Sequence, residues 1–186
     1  MITIEPETFT KVDFDRELIH TVAQRALESV APLPDDLDVA VAVDEDQATN
    51  RVKIVSVDPV ELAVDGGALE NYRQPRTVGD LETNITFIRL FLELSDRLSE
   101  SFGAPELDAK LSHAHRMAWD VNLFGRVSRH GMRIHQPRYL YNFRNRHGFS
   151  DVADRAFDQL WAADELTFAQ IVELSDGAVD TVVTGG

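Results

Sequence analysis

The sequence predicts an α+β fold: a small, largely antiparallel sheet with one N-terminal helix, packed against a predominantly helical C-terminal lobe of about five helices. Three observations carry this. Bulky and small residues alternate in "LDVAVAV" (37–43), the period-2 signature of a strand. Two further strand-like runs follow, "RVKIVSV" (51–57) and "VELAV" (60–64), parted by Asp58-Pro59. From residue 80 onward every apolar pattern has helical spacing.

Taken in order, "ITI" (2–4) reads as a short strand. "FDRELIHTVAQRALESVA" then sets Phe14, Leu18, Val22, Ala26 and Val30 at four-residue spacing, a helix with Asp13 as N-cap and Pro32 and Pro34 as its stop. In the 37–43 strand, Leu37, Val39, Val41 and Val43 form the bulky face. Asp38, Ala40 and Ala42 form a small face onto which a helix could pack. The stretch 65–80 bears Gly66, Gly67, Pro75 and Gly79 and reads as a connection. The expected organisation is one domain over 1–186, with an α+β sub-lobe at 1–66, a connection at 67–79, a helical sub-lobe at 80–177 and a flexible tail at 178–186.

The helix expected over 80–102, capped by Asp80 and closed by Gly103, is apolar around most of its circumference. Only Glu82, Arg89, Glu93, Asp96, Arg97 and Glu100 make a narrow polar strip, so it is the expected core helix of the C-terminal lobe. A second long helix is expected from Pro105 to His130. Its main stripe is Leu107, Leu111, Ala114, Met117, Ala118, Val121 and Phe124, and a second stripe, Trp119, Leu123 and Val127, lies roughly opposite. That second face needs a cover, either the later helices or a second subunit in a homodimer through Trp119, Leu123 and Val127. Pro137 opens a helix that Gly148 ends, Ser150 caps the next and Thr167 the last.

Charge is unevenly spread. The net charge is −14, yet Lys110 to Gly148 holds eight Lys or Arg against a single acid, Asp120. Five of the six histidines fall there too. Asp120, four residues after Arg116, is expected to pair locally. Within this segment, "RIHQPRYLYNFRNRHGF" (133–149) combines four arginines with four aromatics and no acid. As a helix, 137–147 turns Leu140, Phe143 and His147 inward, and Arg138, Tyr141, Asn142 and Asn145 outward. The candidate ligand-binding residues are Arg133, Arg138, Tyr141, Asn142, Asn145 and Arg146, expected near the 65–80 connection, because arginine forks onto carboxylate or phosphate.

The chain lacks cysteine, which excludes a disulfide scaffold, a thiolate metal site and a cysteine nucleophile, and with the absence of a basic n-region at the start gives a cytoplasmic expectation. No HExxH, GxSxG, GxxxxGK or GxGxxG pattern occurs. His113 and His115 stand two apart and diverge on a helix, so they cannot share a metal. The loop after Asp44 has Thr49 where a calcium loop needs glycine. No catalytic residue, metal site or cofactor is therefore nominated, and no membrane partner. The expectation is a non-enzymatic binding or interaction protein. Its basic segment mainly clamps the two sub-lobes, with His147 and His113 as interior histidines, and can take a small anion or an acidic partner. Two alternatives belong to other classes: a hydrolase-type enzyme acting on an anionic substrate, with His135 or His147 as acid or base, and a nucleic-acid-binding protein. The latter is disfavoured by an acidic body that repels polyanions.

Overall fold

The computed structural model describes residues 1–30, 33–34, 36–107 and 111–179. Within them the chain divides into two compact units, Met1–Leu98 and Ser99–Gly186. The expected connection at 67–79 lies inside the first unit. The expected tail from 180 onward, like the Pro32 helix stop, lies outside the described residues.

The first unit holds β1 (Ile2–Glu5), α1 (Arg16–Ser29), β2 (Val39–Asp44), β3 (Val52–Val57), β4 (Val60–Asp65), a 3-10 turn (Gly66–Ala68) and α2 (Asp80–Leu98). The sheet order is β1-β2-β4-β3. Its pairing corrects the expectation of a largely antiparallel sheet: β1 runs parallel to β2, β2 runs parallel to β4, and only β3–β4 is antiparallel. The reason is topological. Helix α1 carries the chain back past the sheet before β2, so β1 and β2 must run the same way. The tight turn at Asp58-Pro59 then pairs β3 with β4, and β4 inserts beside β2.

One face of this sheet is sealed. Ile2, Ile4, Val39, Val41, Val43, Leu62 and Val64 are buried, together with Ile19, Val22 and Ala26 of α1. Each fully buried aliphatic side chain contributes about 1.5–3 kcal/mol. The small face does not receive a helix: Ala40 and Ala42 are exposed. The bulky valines offer more apolar area to bury than the alanines do, and the helices take that side. Helix α2 packs on α1 and β3, with Phe87, Leu90, Phe91 and Leu94 fully buried. It is thus a core helix of the sheet-bearing unit. It stops at Leu98, and Gly103, with φ of 68°, lies in the turn beyond.

Two local expectations also change. The cap of α1 is Asp15, whose carboxylate accepts from the Leu18 N–H at 3.1 Å, because Asp13 is drawn into a bridge with Thr77. That bridge, a second between Glu70 and Val78, and the buried Leu69 tie down much of the 65–80 stretch. Gly67 is needed there: a Cβ would come within 2.3 Å of the Ala48 carbonyl oxygen.

The second unit is helical: α3 (His113–Arg129), α4 (Gln136–His147), α5 (Asp151–Ala162) and α6 (Phe168–Gly177). Helix α3 starts at its cap Ser112, later than Pro105 suggests, and residues 108–110 lie outside the described residues. It packs against α4, α5 and α6. The deep stripe is Trp119, Leu123 and Val127, all fully buried. Of the stripe expected to be the main one, Ala118 and Val121 are also fully buried, while Met117 and Phe124 are half-buried. Trp119 meets the rings of Phe102 and Phe168 at centroid distances of 5.3 and 5.5 Å. This corrects the homodimer expectation, since nothing of that stripe is left for a second subunit to cover.

Close packing of α3 on α5 turns on small and polar residues. A Cβ at Gly125 would lie 2.2 Å from the Trp161 carbonyl oxygen. The Asn122 amide donates to the carbonyls of Leu160 and Ala163, at 3.0 and 2.9 Å. Arg129 donates to those of Trp161 and Ala163, at 2.6 and 2.7 Å, and pairs with Asp164. A helix leaves its last carbonyls unsatisfied, and here a cation and an amide meet those of α5.

Candidate functional site: the outer face of α4

Helix α4 begins with proline in its first turn and ends at Gly148, whose φ of 105° suits glycine alone. Its inner face is fixed by packing. Phe143 is fully buried against Phe157, with ring centroids 5.9 Å apart, and stacks on His147 at 3.8 Å. His147 is buried with both ring nitrogens engaged: Nδ1 lies 3.0 Å from the Phe143 carbonyl oxygen and Nε2 lies 2.8 Å from Ser175 Oγ. A neutral ring satisfies both, donating from Nδ1 to the carbonyl and accepting the serine hydroxyl at Nε2. Burial pushes the imidazole below its ordinary value, the Phe143 carbonyl pulls it up, His115 pushes it down and Asp176 pulls it up.

The outer face is of another kind. Arg138, Tyr141, Asn145 and Arg146 are exposed, Asn142 is half-buried, and Arg133 is exposed just ahead of the helix. Tyr141 is 59% exposed. Beside it stands Phe149, 65% exposed, edge-to-face at a centroid distance of 6.0 Å. Two large aromatics so open to water form an apolar spot amid charge. Arg133, Arg138 and Arg146 make no ion pair among the described residues.

Arg144 plays a different part. It forks onto Asp154 of α5, with Nε and an Nη at 2.7 and 2.6 Å from the two carboxylate oxygens. The pair holds the Asp154 carboxyl below and the Arg144 guanidinium above their ordinary values. The guanidinium also sits 5.9 Å from the centre of the Phe149 ring. Arg144 therefore props the aromatic spot and is already engaged.

The six nominated residues thus share one exposed region, on α4 and the turn before it. Phe149 was missed. The signal was its place one residue past a helix-ending glycine, where no helical periodicity assigns a face. His135 and His147, the acid–base candidates, are not brought together: His135 is exposed at the start of α4 and His147 is buried at its end. His113, expected inside, is exposed at the first position of α3. Asp120 pairs with Arg116 at 3.0 Å, as its spacing requires.

A second charge cluster lies on α2. Arg89, Glu93 and Asp96, of its narrow polar strip, are buried. Arg89 and Arg97 each approach the Glu93 carboxylate at 2.9 Å. Among the described residues no group of three or more His, Asp or Glu could hold a metal ion, and no helix is long and apolar enough to cross a membrane.

No known protein family, curated protein or solved structure matches this chain.

Proposed function

We propose that the protein is a non-enzymatic binding protein whose outer face on α4 takes an anionic ligand or an acidic partner. One observation carries this: exposed Arg133, Arg138 and Arg146, without ion pairs among the described residues, lie on α4 and the turn before it, the helix that also carries an exposed aromatic pair. Exposed arginines beside aromatics offer forked donors and flat apolar surface together. The surplus of positive charge from 110 to 148 supports the same reading in a chain of net charge −14. Arg144 already takes Asp154 within its own unit, while Arg133, Arg138 and Arg146 are exposed.

The hydrolase alternative gains little. Ser175 and His147 make a hydrogen-bonded pair, but both are buried and Nδ1 faces a backbone carbonyl, not a carboxylate. A nucleophile needs an accessible hydroxyl and a base oriented by a third group.

Titration of the full chain with a short glutamate-containing peptide at low salt tests the proposal by calorimetry. Binding that weakens steeply with salt, and is lost in the Arg138→Glu/Arg146→Glu double variant, supports it. Undiminished binding by that variant, or none by the wild type, removes it.

A further inference from the structure

Strands β1 and β3 form the two edges of the sheet in the first unit, and the two edges differ. At β1, Arg16 Nε donates to the Ile4 carbonyl at 3.0 Å and so caps the edge. At β3, no group among the described residues bonds to the outer side of Val52 or Ile54. Which side that is follows from the ladder. The Asp65 N–H donates to the Arg51 carbonyl at 2.9 Å, and bonding alternates along an antiparallel pair. Lys53 therefore also bonds toward β4, while Val52 and Ile54 turn their N–H and C=O groups outward. Those groups are a template for one more extended strand. The register shift between Ile54 and Ser56 ends the template, and Val55 there is 45% exposed.

Side chains decide which strand fits. Ile54 pairs with Leu62 and is buried with it on the sealed face, and Val52 on the same side is half-buried. Arg51 and Lys53 stand on the open face, both exposed and without an ion pair among the described residues. Lys53 lies opposite Ala63, which carries no charge. Arg51 lies opposite Asp65, whose carboxylate accepts from the Thr49 hydroxyl. The two cations are two residues apart, about 6.6 Å along the strand at 3.3 Å per residue. An incoming strand repeats its side chains at that same interval on each face. Acids at alternate positions thus fall beside Arg51 and Lys53 together. The residues between them turn to the sealed face, where β-branched side chains extend the surface of Val52 and Ile54. A second copy of β3 fits poorly, because it would gather four cations in one short ladder.

Independently of α4, we infer that the β3 edge receives an extended peptide of alternating acidic and β-branched residues, its backbone on Val52 and Ile54 and its acids on Arg51 and Lys53.

A labelled Thr-Glu-Val-Glu-Val-Thr peptide tests this on the full chain, by fluorescence anisotropy and by hydrogen exchange. The wild-type chain should bind it, with the Val52 and Ile54 amides exchanging at least about tenfold more slowly in the complex. Arg51→Glu/Lys53→Glu should weaken binding about tenfold or more, with circular dichroism checking that the fold is kept. N-methylation of the peptide's valines blocks antiparallel pairing and N-methylation of its glutamates blocks parallel pairing, while every charge stays. One of the two should abolish binding. Absence of binding, undiminished binding of both methylated peptides, or unchanged exchange at Val52 and Ile54 would overturn the inference. So would binding that is lost in Arg138→Glu/Arg146→Glu but kept in Arg51→Glu/Lys53→Glu, which would assign the peptide to α4 instead.

Discussion

On α2, Arg89 and Arg97 are nearly sealed from water and both close on the Glu93 carboxylate at 2.9 Å, whereas around α4, Arg133, Arg138 and Arg146 stand in water with no ion pair among the described residues. The same side chain follows two rules in one molecule. Inside, an ion loses its hydration and must recover it from a partner, so the pairing is compulsory. Outside, hydration persists and an ion pair is worth only about 0–1 kcal/mol, so an arginine can remain without one at little cost. The α2 charges belong to the fold, and the α4 charges are free to serve a ligand.

The largest effect is expected from Glu93→Gln. It leaves two buried guanidiniums without their shared carboxylate and should cost about 3 kcal/mol or more, seen as a lower urea midpoint. A loss below about 1 kcal/mol would show that the buried cluster is no more critical than a surface pair. Next comes Gly125→Ala, which puts a methyl against the Trp161 carbonyl and should cost about 1–3 kcal/mol by forcing α3 from α5. An unchanged thermal midpoint would mean that the two helices separate more easily than their packing implies.

A third prediction concerns pH. His147 and His130 both sit below the ordinary histidine value of 6.5, each chiefly through burial, with Arg126 and Arg129 also pushing His130 down. The unfolded chain therefore binds protons first as pH falls. Stability should be full above 6.5 and decline below it. His147→Gln should flatten part of that decline, leaving the part due to His130. Identical pH profiles for the two proteins in urea titrations would show that His147 does not contribute. The smallest effect belongs to Arg138→Glu/Arg146→Glu. Stability should move by no more than about 0.5 kcal/mol per site, in contrast with Glu93→Gln, while anion binding is lost. A large destabilisation would mean that these arginines are structural after all.

Several elements were legible because their signals are local. The alternation at 39–43 gave β2 and its buried face. Ser150 caps α5 through the Ala153 N–H, and Thr167 with Gln170 forms a capping box on α6. Pro137 and Gly148 bound α4 within a residue, and its outward residues follow from 100° steps. Other features were not legible. Periodicity marks Arg89, Glu93 and Asp96 as a polar strip but cannot say that the strip is buried. On α3 two apolar stripes compete, and periodicity cannot say which one lies deeper. Both are buried along their middle, Ala118 and Val121 as fully as Trp119, Leu123 and Val127, because helices α4, α5 and α6 pack around α3.

By itself the sequence determined which segments are helix and strand, which α4 residues face outward, and that a basic aromatic stretch sits in an acidic chain. Spacing, caps and composition are properties of neighbours along the chain. Only the tertiary structure decided the parallel pairing of β1 with β2 and of β2 with β4, the place of α2 beside the sheet, the burial of the Glu93 cluster and the contact of Tyr141 with Phe149. Those depend on which distant surfaces exclude water from one another, and no local pattern records that.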